Sequence, residues 1–197
     1  MKKLVVFGGT FSPPGLHHLN IALKLTEIFD SVIVFPCGIR TGKISTSSVL
    51  SDDRKIMASL TFSKFINLRL NLSDLDRNVF TPTWSIDDLY KRVYPDWQIW
   101  HHIGGDLIAG GKNQNSEIQK KWQKGKEIWD RLNWAIINHA NCPIDHSDLP
   151  PKNMVIDIKP LAGRSSIIRE RIAEGKDITS LVTPEVADYI IKHRLYK

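Results

Sequence analysis

Four consecutive apolar residues, Leu4–Phe7, run straight into Gly8-Gly9, and apolar residues then recur at helical intervals: Leu19, Ala22, Leu23, Leu25 and Ile28. A short unbroken apolar run closed by glycine reads as a buried strand ended by a tight turn. The spacing behind it reads as an amphipathic helix over Leu16–Phe29. The unit then repeats. Val32–Phe35 is β-branched and apolar, and Pro36 ends it. A polar loop, Gly38–Leu50, leads to Ser51-Asp52-Asp53, a good N-terminal cap for a helix carrying Ile56, Met57 and Leu60. Ile66, Leu68, Leu70 and Leu72 alternate with Asn67, Arg69 and Asn71, as in a strand with one polar face. A helix over Thr83–Val93 precedes a strand over Trp97–Ile103, which stops at Gly104-Gly105-Asp106. Glu117–Leu132 reads as one helix with Trp122 and Trp129 on one side, and Trp134–Ile137 and Val155–Ile158 read as late strands. Ser165–Ala173 and a segment opening at Thr183-Pro184 are the last helices, with Gly175 as a C-terminal cap between them. Strands alternating with helices predict an α/β class: a mostly parallel sheet covered on both faces, with a small helical extension from about residue 164. All 197 residues are expected to form one domain.

Composition narrows the classes. At 42% apolar residues the chain can build a core, which excludes global disorder. No apolar run approaches the ~18 residues of a membrane helix. The N-terminal apolar run ends after Phe7, short of the about 7–15 residues of a signal peptide, so a cytoplasmic protein is expected. Cys37 and Cys142 form no CxxC pair, which suggests neither a disulfide framework nor a zinc site. The net charge of +6 is compatible with nucleic acid, anionic small molecules or plain solubility. The basic residues are dispersed apart from a cluster at Lys112–Lys126, and no RNA-binding motif occurs, so nucleic acid is not the expected partner.

In parallel sheets ligands bind beyond the carboxyl ends of the strands, near the point where strand order reverses. After the first strand stands Gly8-Gly9-Thr10-Phe11-Ser12-Pro13-Pro14, whose glycines let backbone N–H groups approach an anion, or simply make a turn. His17 and His18 open the next helix, where an imidazole can donate to a phosphate; adjacent helical residues diverge by about 100°, so both cannot face one ligand squarely. Asp106, after the strand over Trp97–Ile103, reads as a ligand for a ribose or a metal-bound phosphate, or as an ordinary helix cap. His101 and His102 before it are neighbours on a strand and point to opposite faces, so one faces the core and they share no metal. Arg164-Ser165-Ser166 with Arg169 one turn on forms either an anion cradle or a plain cap. Trp84, Trp122 and Trp129 near the loops offer stacking surfaces or core packing, and Lys43 is a cation on the loop after the second strand.

The order of these motifs resembles the bacterial nicotinate mononucleotide adenylyltransferases, within the His-x-Gly-His nucleotidyltransferase superfamily. The resemblance covers nearly the whole chain. It rests on Gly8-Gly9-Thr10-Phe11-Ser12-Pro13 with His18-Leu19, on Pro36…Lys43, and on Asp53-Arg54…Met57. It continues through Thr83-Trp84-Ser85-Ile86-Asp87, Gly104-Gly105-Asp106 with Trp122, Arg164-Ser165-Ser166-Ile167-Ile168-Arg169, and the ending from Leu181 to Tyr196. Gly15 stands where the motif has its first histidine and His17 where it has glycine; Ser12 replaces an Asp or Asn, and Arg164 a Ser. These departures bear on rate and nucleotide choice rather than on the fold.

The resemblance implies a Rossmann-like fold and adenylyl transfer from ATP to nicotinate mononucleotide, giving deamido-NAD and pyrophosphate, with Mg²⁺ accompanying ATP. It assigns His18 and Arg169 to catalysis. It assigns Gly8, Gly9, Thr10, Phe11, His18, Gly104, Asp106, Ser165, Ser166 and Arg169 to ATP. It assigns Lys43, Thr83, Trp84, Ser85 and Trp122 to the mononucleotide, with the pyridine ring on Trp84. No protein metal site and no membrane association are implied, and a homo-oligomer is compatible. Nicotinamide mononucleotide or another phosphorylated small molecule as acceptor, and a non-catalytic nucleotide-binding protein, are the alternative readings.

Overall fold

A computed structural model describes residues 1–40, 42, 44–138, 143–159 and 162–197. Lys43 and Cys142, singled out above, lie outside the described residues. Six strands form one sheet: β1 (Lys3–Gly9), β2 (Ser31–Pro36), β3 (Leu68–Leu70), β4 (Gln98–Gly104), β5 (Asn133–Asn138) and β6 (Asn153–Asp157). The helices are α1 (Leu16–Thr26), α2 (Ser51–Phe62), α3 (Ser73–Arg77), α4 (Thr83–Val93), α5 (Glu117–Lys121), α6 (Gly125–Arg131), α7 (Ser165–Ala173) and α8 (Pro184–His193). The strand order is β3-β2-β1-β4-β5-β6 and every pairing is parallel. This is the expected α/β, Rossmann-like arrangement.

The apolar run at β1 has its cause in the two faces it covers. Val5 and Phe7 pack with Val32, Val34 and Trp100 beneath Leu19, Ala22 and Leu25 of α1. Leu4 and Val6 pack on the other face with Ile33, Phe35 and Ile99 under Ile86 and Tyr90 of α4. A third cluster joins Ile103, Trp134 and Ile136 to Ile118 of α5 and to Ile128 and Trp129 of α6. The C-terminal helices do not stand apart: Ile168, Val186 and Ile190 pack on Met57 of α2. Among the described residues no helix is long and apolar enough to cross a membrane.

Two elements differ from expectation. The helix expected over Glu117–Leu132 is broken into α5 and α6. Trp122 is extended, Lys124 is left-handed (φ 55°), and Gly125 lies so close to α5 that a Cβ there would sit 2.1 Å from the Ile118 carbonyl oxygen. The strand expected over Ile66–Leu72 is only Leu68–Leu70. The Asn71 side chain accepts from the Ser73 N–H, and the chain turns there into α3, which the alternation of apolar residues concealed.

Candidate functional site

Strand order reverses between β1 and β4, so the connections leaving these strands go to opposite faces and open a crevice. A cavity of about 530 Å³ lies there. The Gly8–Thr10 turn, His101–Gly104 of β4, Thr83 of α4 and Trp122 of the α5–α6 break all line it.

The turn after β1 is held from below. Arg54, fully buried, donates from Nε and Nη2 to the Thr10 carbonyl at 3.1 and 2.6 Å, and also to the Cys37 carbonyl beyond β2. Phe11 adopts φ 47° and folds its ring back over Gly9, where a Cβ would meet it at 2.8 Å. A Cβ on Gly8 would meet nothing within 4 Å. Gly9 is therefore demanded by the protein, whereas the space over Gly8 is open. Two contacts fasten the start of α7 to the same turn: Ser165 Oγ donates to the Pro13 carbonyl at 2.9 Å, and Arg169 to the Ser12 carbonyl at 2.6 Å. The Ser12 hydroxyl, at 3.0 Å from Tyr196 Oη, completes the clamp. Ser166 and Arg164 are exposed beside it.

His18 sits in the first turn of α1, against Phe11 (ring centroids 5.0 Å apart) and Phe7 (6.4 Å). The Gly15 N–H donates to its Nδ1 at 3.0 Å, which leaves Nε2 as the protonated, donating nitrogen of the neutral ring. Burial, then the neighbouring His17 and His102, hold its pKa well below the ordinary imidazole range, so the ring is neutral at physiological pH. On β4, Gly104 lines the cavity and Asp106 is exposed just past it. Thr83 and Trp122 are on the cavity wall. Trp84 and Ser85 are half-buried behind that wall, and Lys124 Nζ lies 4.0 Å from the centre of a Trp84 ring.

Comparison with known proteins bears on this arrangement. Over full-length alignments the chain is 27% identical to the nicotinate-nucleotide adenylyltransferase of Bacillus subtilis and 28% identical to a protein of Bacillus cytotoxicus named a probable enzyme of that kind; each alignment covers 100% of both chains. The chain is thus similar along its whole length to proteins named nicotinate-nucleotide adenylyltransferases. No protein-family model matches it. The fold agrees: a Plasmodium falciparum nicotinic acid mononucleotide adenylyltransferase complexed with NaAD superposes with a TM-score of 0.80 at 24% identity, covering 100% of this chain and 98% of that one. A second structure of that enzyme, complexed with APC, gives 0.76 at 23% identity over the same shares.

Against the adenylyltransferase pattern the altered histidine motif acquires a physical reason. A Cβ at Gly15 would meet the Gly163 carbonyl oxygen at 2.8 Å, His17 Nδ1 at 2.8 Å and Ile168 Cδ1 at 2.9 Å. The His17 ring thus occupies the space into which a side chain at residue 15 would grow, and it lies 3.7 Å from the His18 ring. Burial and then Arg164 lower the His17 pKa to about 4, with the Gly163 carbonyl acting the other way. In this fold His17, the Gly163 carbonyl and Ile168 together leave no space for a side chain at residue 15.

His101 and His102 of β4 both line the cavity, and carboxylates of α4 and α3 brace the segments around it. His101 is buried and hydrogen-bonds through Nε2 to Asp87 at 3.1 Å, while His102 faces the α1 side with Phe7. Burial raises the Asp87 pKa, but hydrogen bonds from His101 and Lys91 outweigh it and hold the group below the ordinary carboxylate range. Asp74 of α3 is fully buried and accepts from the Thr81 N–H at 2.8 Å and the Thr81 hydroxyl at 2.5 Å, which fixes the segment leading into Thr83. A lone Asp followed seven residues later by Thr-Pro-Thr was the available signal for that anchor.

Proposed function

We propose that the protein transfers the adenylyl group of ATP to nicotinate mononucleotide, forming deamido-NAD and releasing pyrophosphate. One observation carries the reading: a single cavity joins the open glycine turn after β1, suited to a phosphate, to a wall bearing Thr83 and Trp122, suited to a flat aromatic ring. A mononucleotide phosphate oxygen would attack the α-phosphorus of ATP as the bond to the β-phosphate breaks, and pyrophosphate would leave with the electron pair. The nucleophile is already an anion, so the protein's task is positioning and charge stabilisation.

In this reading the Gly8–Phe11 backbone and Thr10 hold the α-phosphate. His18 donates from Nε2 to phosphate oxygen, an assignment that its Gly15 hydrogen bond supports by fixing the tautomer. Ser165, Ser166 and Arg169 hold the departing phosphates at the start of α7. Gly104 and Asp106 take the ATP ribose. Thr83 and Trp122 on the wall, with Trp84 and Ser85 behind it, hold the mononucleotide, and Lys43 is assigned to it as well. Among the described residues no group of three or more His, Cys, Asp or Glu is placed to hold a metal ion. Mg²⁺ would arrive on the phosphates of ATP with water as its remaining ligands.

The test is pyrophosphate release from ATP and Mg²⁺ against a panel of nicotinate, nicotinamide and unrelated mononucleotides. Turnover highest with nicotinate mononucleotide is expected. Preference for nicotinamide mononucleotide would change the acceptor, and ATP binding without release for any acceptor would refute catalysis.

A further inference from the structure

His102 belongs to none of the motifs that carry the proposed reaction, yet it lines the cavity at the strand reversal. It stands one step beyond the Val6↔His101 pair of the β1–β4 register, which places it beside Phe7. The Phe7 ring meets it edge-on, 4.7 Å between centroids at 82°, and fixes its orientation. Both ring nitrogens are enclosed, and neither meets a partner among the described residues. A neutral imidazole carries one donor and one acceptor, and leaving either unsatisfied in an enclosed place disfavours the fold. An apolar side chain would fill this position without that penalty. The unmatched pair is therefore suited to a ligand.

The surroundings identify the ligand's chemistry. Gly8, Gly9 and Gly104 line the same cavity as the ring, and the space over Gly8 is open. His18 stands on the same Phe7 ring from the helix side. The geometry points to His102 as a second imidazole at the reaction centre, donating a ring N–H to an oxygen of the phosphate over Gly8 while His18 donates from α1. The other nitrogen then accepts from a hydroxyl or water accompanying the nucleotide. Burial lowers the His102 pKa to about 3, so it meets the phosphate as a neutral donor. A fixed donor where charge gathers needs no reorganisation during reaction. The inference rests on the proposed adenylyl transfer and adds to it a residue that the His-x-Gly-His motif does not contain.

His102→Leu and His102→Gln test it, each measured for ligand-free melting temperature, ATP affinity by calorimetry and kcat/KM for pyrophosphate release. The Leu variant is expected to melt at or above the wild-type temperature and to lose about a hundredfold in kcat/KM, with weakened ATP binding. Gln, which restores a donor and an acceptor, is expected to recover most of that loss. A folded Leu variant within about threefold of wild type in ATP affinity and kcat/KM, or a loss that Gln does not recover, overturns the assignment. A wild-type protein that releases no pyrophosphate with any acceptor refutes the adenylyl-transfer reading instead, and the ATP-binding measurement still decides the role of His102.

Discussion

The adjacent residues Gly8 and Gly9 do different work. A Cβ at Gly9 would press into the buried Phe11 ring, whereas one at Gly8 would enter open space. Gly9→Ala is expected to destabilise the protein by about 1–3 kcal/mol, read by denaturant unfolding. Gly8→Ala should leave unfolding unchanged within about 0.5 kcal/mol while weakening ATP binding at least tenfold. Equal losses of stability in both variants would remove the distinction. His18→Ala should lower kcat by about 10²–10³ with a smaller change in the KM for ATP; a defect confined to KM would make His18 a binding residue only. The Gly-Gly pair was legible in the sequence, but the asymmetry between its members was not, because it depends on Phe11 folding back at φ 47°. Strand alternation likewise showed that His101 and His102 diverge. Which of them meets the core depended on Asp87, a helix residue 14 positions earlier.

At the scale of elements, both departures from the expected pattern lie beside the cavity. Trp122 and Trp129 are seven residues apart, as on one continuous helix, yet the break between α5 and α6 sends Trp122 to the cavity wall and Trp129 into the core. Periodicity could not reveal the break, since the left-handed residue is Lys124 and the close approach at Gly125 is a contact between two helices. Gly125→Ala, which would drive a Cβ against the Ile118 carbonyl, is expected to shift Trp122 and raise the KM for the mononucleotide more than that for ATP. Steady-state kinetics varying each substrate in turn checks this, and parallel changes in both constants would count against it. The helices Thr83–Val93 and Ser165–Ala173 were legible to the residue because proline precedes the first and a small polar pair opens the second. The helix α3 was hidden in a stretch whose leucines mimic a strand.

Across the whole molecule the strand-and-helix alternation specified the parallel sheet, and the reversal point then located the cavity. The sequence held less information about protonation, which depends on burial. His17, His18 and His102 are all kept neutral in the folded state, with pKa values of about 4, well below the ordinary range, and about 3 respectively. The unfolded chain binds protons at these residues below about pH 6.5 while the folded chain does not, so stability is complete above that value and falls as pH drops toward 4. The slope is at most about 1.4 kcal/mol per pH unit for each histidine, and denaturant unfolding at pH 7, 6 and 5 measures it. Stability that is flat or rises over that window would contradict the buried, neutral assignment, and replacing His17 and His102 with Gln should shallow the slope. A different consequence follows from the contact between Ser12 and Tyr196, which spans 184 positions. On the ribosome the turn after β1 is made early, but Arg169 and then Tyr196, which clamp it, emerge only much later. A nascent chain can form β1 and α1 and still lack a finished turn, so competence to bind ATP should be acquired once Arg169 and Tyr196 are in place rather than accumulate as the sheet is built.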